Sequence, residues 1–144
     1  MNKIFFMLAL STLLLSSEIQ TRTGVLPEKE MKSQNVTIAE MVVQETSKSL
    51  PQVIDKYTTF TSIKNDDATL IYTFEINTGS KSDEAVKKED RTRMKKAVTM
   101  GVCKTTYKFL QAGIDTSYVY ISAKSKAKLF EFNISLEDCP VVLE

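Results

Sequence analysis

The sequence predicts an α+β domain with two helices packed on one face of an antiparallel sheet of about four strands, in the order α-ββ-α-ββ. Three observations predict it. Residues 69–78 alternate, with Leu70, Tyr72, Phe74 and Ile76 on one face and Thr73 and Glu75 on the other, the period of a half-buried strand. Residues from Asp83 to about Gln111 carry an apolar stripe at helical spacing. The chain has 144 residues, 42% of them hydrophobic, enough for one modest core and too few for a second domain.

Met1-Asn2-Lys3 is a short positive segment, followed by the apolar stretch Ile4 to Leu15, broken by Ser11 and Thr12, and then by the small Ser16 and Ser17. This is the anatomy of a secretory signal peptide over residues 1–17. The stretch is shorter than the roughly 20 apolar residues of a membrane span. The cleavage region lacks an A-x-A pattern, so an uncleaved anchor and a buried core helix stand as alternative readings. No cysteine lies near the end of the stretch, which excludes lipid attachment there. Residues 18–36 are polar and hold Gly24 and Pro27; they predict a flexible leader ahead of a single domain over residues 37–144.

The first helix is expected from Thr37, because Thr37-Ile38-Ala39-Glu40 fits a capping box. Ile38, Met41, Val42, Leu50, Val53, Ile54 and Tyr57 follow helical spacing, and Pro51 is expected to kink or divide the helix. Thr58 to Lys64 reads as a strand, Asn65-Asp66-Asp67 as a turn, and residues 69–78 as the second strand of a hairpin. Gly79 to Ser82 is a loop. One long helix should then run from Asp83 to about Gln111, capped by Ser82 or Asp83 and closed by Gly113. Its stripe is Met94, Ala97, Val98, Gly101, Val102 and Phe109, with Cys103 beside it. Ile114 to Ser122 and Leu129 to Ser135 complete the strands, around a turn at Lys124-Ser125-Lys126. Leu136 to Cys139 leads back to the long helix, and Pro140 blocks any further ladder.

The residue types present exclude much chemistry. There is no His, so no Ser-His-Asp or Cys-His nucleophile, imidazole base or His-ligated metal can be built. Two cysteines are too few for a four-cysteine zinc site or an iron–sulfur cluster. In an exported chain the same two cysteines predict a Cys103–Cys139 disulfide. Closing a loop of about 37 residues should stabilise the fold by roughly 3–4 kcal/mol in the chain-entropy picture. Removing residues 1–17 takes away only Lys3 and leaves 18 basic against 18 acidic residues, a balance that argues against a nucleic-acid partner. No catalytic residue, cofactor or metal site is predicted.

Two constellations are candidate surfaces. Lys87, Lys88, Arg91, Arg93, Lys95 and Lys96 read either as an anion-binding face for an acidic partner, peptidoglycan or phospholipid head groups, or as a solvated helix face compensated by Glu84, Glu89 and Asp90. Tyr118 and Tyr120 read either as an aromatic surface for a sugar or peptide or as sheet core. The adjacent acids Asp66/Asp67, Glu89/Asp90 and Glu137/Asp138 lack the separated, cleft-spanning geometry of glycosidase carboxylates. Asn35-Val36-Thr37 and Asn133-Ile134-Ser135 are glycosylation sequons; in a eukaryotic secretory route Asn35 would be the favoured site.

The segments Leu50-Pro51-Gln52-Val53-Ile54-Asp55, Leu70-Ile71-Tyr72-Thr73-Phe74, Gly101-Val102-Cys103, Leu110-Gln111-Ala112-Gly113, Tyr118-Val119-Tyr120 and Glu137-Asp138-Cys139 occur in that order. The pattern, V-C … L-x-x-G … Y-x-Y … D-C over residues 38–139, resembles small exported bacterial proteins of unassigned function. The resemblance implies an exported α+β domain with a helix-to-tail disulfide and no catalytic residues. The architecture is also loosely similar to the pilotins that help place secretion pores in the outer membrane, although a typical pilotin is a lipoprotein and this chain has no lipobox cysteine. The expected function is a non-catalytic, exported binding or accessory protein of the bacterial envelope, a secretion-apparatus helper or an inhibitor/immunity-type protein. Its partner would be another envelope or secreted protein, with contact to a membrane surface left open. A small histidine-independent envelope hydrolase and an N-terminally membrane-anchored structural protein are the alternatives.

Overall fold

The computed structural model describes residues 27–140. The signal peptide read over residues 1–17, the leader as far as residue 26 and the tail 141–144 lie outside the described residues. Helix α1 spans Glu28–Ser47 and so takes in residues 28–36 of the stretch read as a leader. It starts at Pro27, whose carbonyl accepts from the Glu30 and Met31 N–H groups at 2.8 and 3.0 Å. Glu28 and Glu30 place negative charge at the positive end of the helix. The capping box expected at Thr37 does not form, because the helix is already running there. The Thr37 hydroxyl instead donates to the Ser33 carbonyl one turn back, at 3.2 Å. Ile38, Ala39, Val42 and Val43 pack toward the sheet, whereas Met41 is exposed.

The helix ends before Pro51 and does not continue through it. The Leu50–Pro51 peptide bond is cis, and Gln52–Val53 form a short edge strand, β1, opposite Phe60 and Thr59. Asp55 Oδ1 accepts from the N–H groups of Tyr57 and Thr58 at 2.8 and 2.9 Å and turns the chain into β2 (Thr58–Asp66). Val53, Ile54 and Tyr57, expected on a helical stripe, stand exposed on this connection. Asp67 takes the left-handed conformation (φ 48°), which a short polar side chain tolerates, and leads into β3 (Thr69–Ile76).

The long helix expected over residues 83–111 is three helices: α2 (Asp83–Lys87), α3 (Thr92–Thr105) and α4 (Tyr107–Ala112). Ser82 caps α2, its hydroxyl accepting from Ala85 N–H at 3.2 Å. The first break has a local cause. Asp90 Oδ1 accepts from the N–H and hydroxyl of Thr92 at 2.9 and 2.6 Å, in a turn immediately ahead of α3. The Arg91 guanidinium donates to the Glu89 and Val86 carbonyls that end α2. At the second break the Thr105 and Thr106 hydroxyls donate back to the Gly101 and Val102 carbonyls at 2.9 and 2.8 Å, competing with the next turn. Gly113 closes α4 at φ 88°, as expected of a C-terminal glycine.

Strands β4 (Thr116–Ser122) and β5 (Lys128–Ile134) complete a five-stranded sheet in the order β1-β2-β3-β4-β5. The sheet is not antiparallel throughout: β3 and β4 run parallel, from Leu70↔Thr116 to Ile76↔Ser122. The three helices between them return the chain to the end at which β3 began, and that crossover imposes a parallel neighbour. Helix α1 lies over β2 and β3, and α2 and α3 over β5. The core between them holds Ala39, Phe60, Ile63, Leu70, Phe74, Ile114, Tyr120 and Phe132. A smaller cluster of Val102, Leu110 and Ile134 lies beside the two cysteines. A short 3-10 turn, Leu136–Asp138, capped reciprocally by Ser135 and Asp138, delivers Cys139 to Cys103. The disulfide forms with Cα atoms 5.6 Å apart, within the usual span of such a bridge.

Candidate functional site

Alternation along β3, β4 and β5 puts Tyr72, Phe74, Tyr118, Tyr120, Phe130 and Phe132 on one face, where they meet as a continuous aromatic layer. Ring centroids are 5.0 Å apart for Tyr72–Tyr118, 5.1 Å for Phe74–Tyr120 and 4.6 Å for Tyr120–Phe130. This is the helix-covered face: Tyr120 is buried and Tyr118 half-buried. Burial pushes both hydroxyls up to about 12, because the phenolate cannot be hydrated there. Tyr118 and Tyr120 are therefore seated in the core layer and offer little area to a ligand.

The six basic residues singled out in the sequence have different local settings. Lys87 pairs with Glu84 at 3.4 Å. Arg91, half-buried, stacks its guanidinium 3.9 Å from the Phe130 ring centre, in addition to its two carbonyl contacts. Lys88 and Arg93 are exposed. Lys95 and Lys96 border one depression.

Two grooves flank α3. The first, about 520 Å³, lies between the end of β3, α2 and the start of α3, with Tyr57, Ile76, Val86, Met94 and Phe130 among its lining. Each of its charged side chains already has a partner. Lys81 pairs with Glu89 at 2.6 Å, and that hydrogen bond holds the Glu89 carboxyl below its usual range. Asp90 is likewise lowered by Thr92, and Arg91 is held as described above.

The second groove follows the outward side of α3 beside the disulfide. It consists of two adjoining depressions of about 620 and 350 Å³ that share Met100, Cys139 and Pro140. Lys95, Lys96 and Thr99 line one part, and Cys103, Lys104 and Tyr107 the other. Lys95, Lys96, Thr99, Met100, Cys103 and Lys104 recur every three to four residues, so they share one side of α3, with Tyr107 at the start of α4 beyond them, while Met94, Val98 and Val102 point to the cores on the other. Sequence reasoning did not single out Met100, Lys104 or Tyr107. The spacing Lys96-Met100-Lys104 is visible in the sequence, but it becomes a surface only once Cys139 and Pro140 form the opposite wall.

Asn35, the favoured sequon, has its amide nitrogen donating to the Ala112 carbonyl at 2.6 Å, which ties α1 to the end of α4. Asn133 lies within β5 and is exposed. Among the described residues no group of three or more His, Cys, Asp or Glu is placed to hold a metal ion. No described helix is long and apolar enough to cross a membrane.

In sequence, residues 33–130 match a family described as a domain of unknown function (DUF8479), and no curated protein matches the chain. In structure, the chain is similar to a candidate secreted protein from Pseudomonas aeruginosa, with a TM-score of 0.67 at 16% identity, covering 76% of this chain and 96% of the other. It is similar to the pilotin EpsS of the Vibrio vulnificus type 2 secretion system, with a TM-score of 0.64 at 12% identity, covering 79% and 99%. The type II secretion system pilotin AspS from Vibrio cholerae gives 0.60 at 16% identity, covering 77% and 97%.

Proposed function

We propose, for a chain that belongs to the DUF8479 family, the role of an exported, non-catalytic accessory protein that binds another protein of the bacterial envelope, in the manner of a secretion-apparatus helper. The observation that carries this reading is the fold: nearly the whole length of two type II secretion pilotins and of one candidate secreted protein is covered by this chain. The N-terminal sequence supports export, with residues 1–17 as the signal peptide removed on the way. The two cysteines are joined in a disulfide, in keeping with an oxidising destination. Neither cysteine is left to carry a lipid, so on this reading the protein reaches its place in the envelope by holding its partner.

Two measurements test the proposal. Intact mass of the protein from the native extracytoplasmic fraction should give a chain beginning near residue 18 that gains about 2 Da on reduction. Deletion of the gene should lower the amount of secretion pore assembled in the outer membrane, and the full-length gene should restore it. A full-length chain confined to the cytoplasm, or pore assembly unaffected by deletion, would overturn the proposal.

A further inference from the structure

We infer that the groove on the outward side of α3 receives an acidic amphipathic segment of the partner protein; this deepens the protein-binding reading above and rests on it. The floor is apolar: Met100, Tyr107, Pro140 and the Cys103–Cys139 bridge. Met100 is 54% exposed, a large flexible side chain left to water where a partner could cover it. The rim is positive. Lys95, Lys96 and Lys104 border the floor, and none of the three pairs with a carboxylate among the described residues.

The one acid in the lining, Asp138, makes no ion pair with these lysines. Its Oδ2 accepts from the N–H and hydroxyl of Ser135 at 2.8 and 3.2 Å. Three lysines against one acid leave a local positive rim on a chain whose net charge is only +1. The first groove offers the contrast: Lys81 already pairs with Glu89, and Arg91 is held by two backbone carbonyls and the Phe130 ring. A purely apolar peptide would cover the floor and leave the lysines unanswered, and a basic one would be repelled. A segment whose apolar stripe is flanked by Asp or Glu satisfies both, and the lysine stems would extend the apolar floor beneath it. From Lys95 to Lys104 the helix rises about 14 Å at 1.5 Å per residue, the length of two to three turns of a helical peptide.

The disulfide has a part in this site. Cys139 and Pro140 form one wall, and the bridge to Cys103 fastens that wall to the helix that forms the other. Binding should accordingly weaken on reduction.

The test is site-specific. A photo-cross-linking amino acid replaces Thr99, which lines the groove, and in a control chain replaces the exposed Lys64 of β2. Both full-length chains are expressed in the native organism, and the attached peptide is sequenced by mass spectrometry. The expected Thr99 adduct is a protein segment with carboxylates flanking an apolar stripe, absent from the Lys64 control. A synthetic copy of that segment should bind the purified oxidised protein. The triple substitution Lys95→Glu, Lys96→Glu, Lys104→Glu should weaken binding about tenfold or more, and a copy with its acids changed to Lys should restore it. All three sites are exposed, and circular dichroism checks that the variant is folded. No adduct at Thr99, an adduct to lipid, an adduct to residues 141–144 of the same chain, a neutral or basic segment, or unchanged affinity in the triple variant would each overturn the inference. If gene deletion impairs pore assembly while the triple variant restores it fully, the groove assignment falls and the secretion role stands.

Discussion

Across the sheet, Phe60, Phe74, Tyr120 and Phe132 are buried in one cluster with Ala39 of α1 above them. Beside the C-terminal part of α3, only Val102, Leu110 and Ile134 are buried together, and the Cys103–Cys139 bridge lies next to them. The first region buries more side chains, and each large one that is fully buried contributes about 1.5–3 kcal/mol; the second buries three. There a covalent link, which acts mainly by restricting the unfolded chain, supplements a small core. The difference explains why the groove proposed as the binding site is on the cross-linked side: a wall made of a 3-10 turn and a proline has little core of its own to hold it.

The comparison can be broken from the burial side first. Phe74→Ala removes the ring that contacts Phe60, Tyr118 and Tyr120 and should cost about 3–5 kcal/mol, read as a lower urea midpoint. A loss below about 1 kcal/mol would show that the aromatic layer is not what holds this half. Replacing both cysteines by serine should cost roughly 3–4 kcal/mol. Hydrogen exchange should then rise in α4 and residues 136–140 more than in β2 and β3; uniform loosening would contradict a division between burial and cross-link.

The seam between the regions is sharper still. Asn35→Ala removes the bond to the Ala112 carbonyl and should cost about 0.5–1.5 kcal/mol, with exchange increased at the end of α4. An unchanged α4 would mean that α1 and α4 are not coupled there.

A further effect is expected at high pH. The Tyr118 and Tyr120 hydroxyls are raised from 10.0 to about 12, chiefly by burial. The folded state therefore holds these protons to higher pH than the unfolded state does. The stability they contribute is complete below pH 10 and is lost as pH rises through about 12. Tyr118→Phe should shift alkaline unfolding to higher pH, monitored by far-UV circular dichroism; no shift would place the tyrosine ionisation elsewhere.

Much of the fold was legible because its signals are local. Alternation along residues 69–76, the Gly113 stop, the Ser82 cap and the strands at Tyr118 and Phe132 each depend on a few neighbouring residues. The disulfide was legible because only one pairing exists. The misread elements also have local chemistry, but it competes. Thr37 and Glu40 satisfy a capping pattern inside a helix that Pro27 had already started. Asp90 and Thr92 break a run of residues that each favour helix. Val53, Ile54 and Tyr57 keep helical spacing beyond a proline that forbids the helix.

Composition and side-chain period, properties of the chain alone, set the chemistry that is absent with histidine, the single cysteine pairing and the face each strand residue would take. Only the tertiary structure decided that β4 runs parallel to β3, since strand direction depends on the end to which three helices return the chain. It also decided that Lys95 and Lys96 join Lys104, Met100 and Tyr107 in one groove while Arg91 turns to Phe130. A surface is made by residues that are distant in sequence, and their distances exist only once the chain has folded.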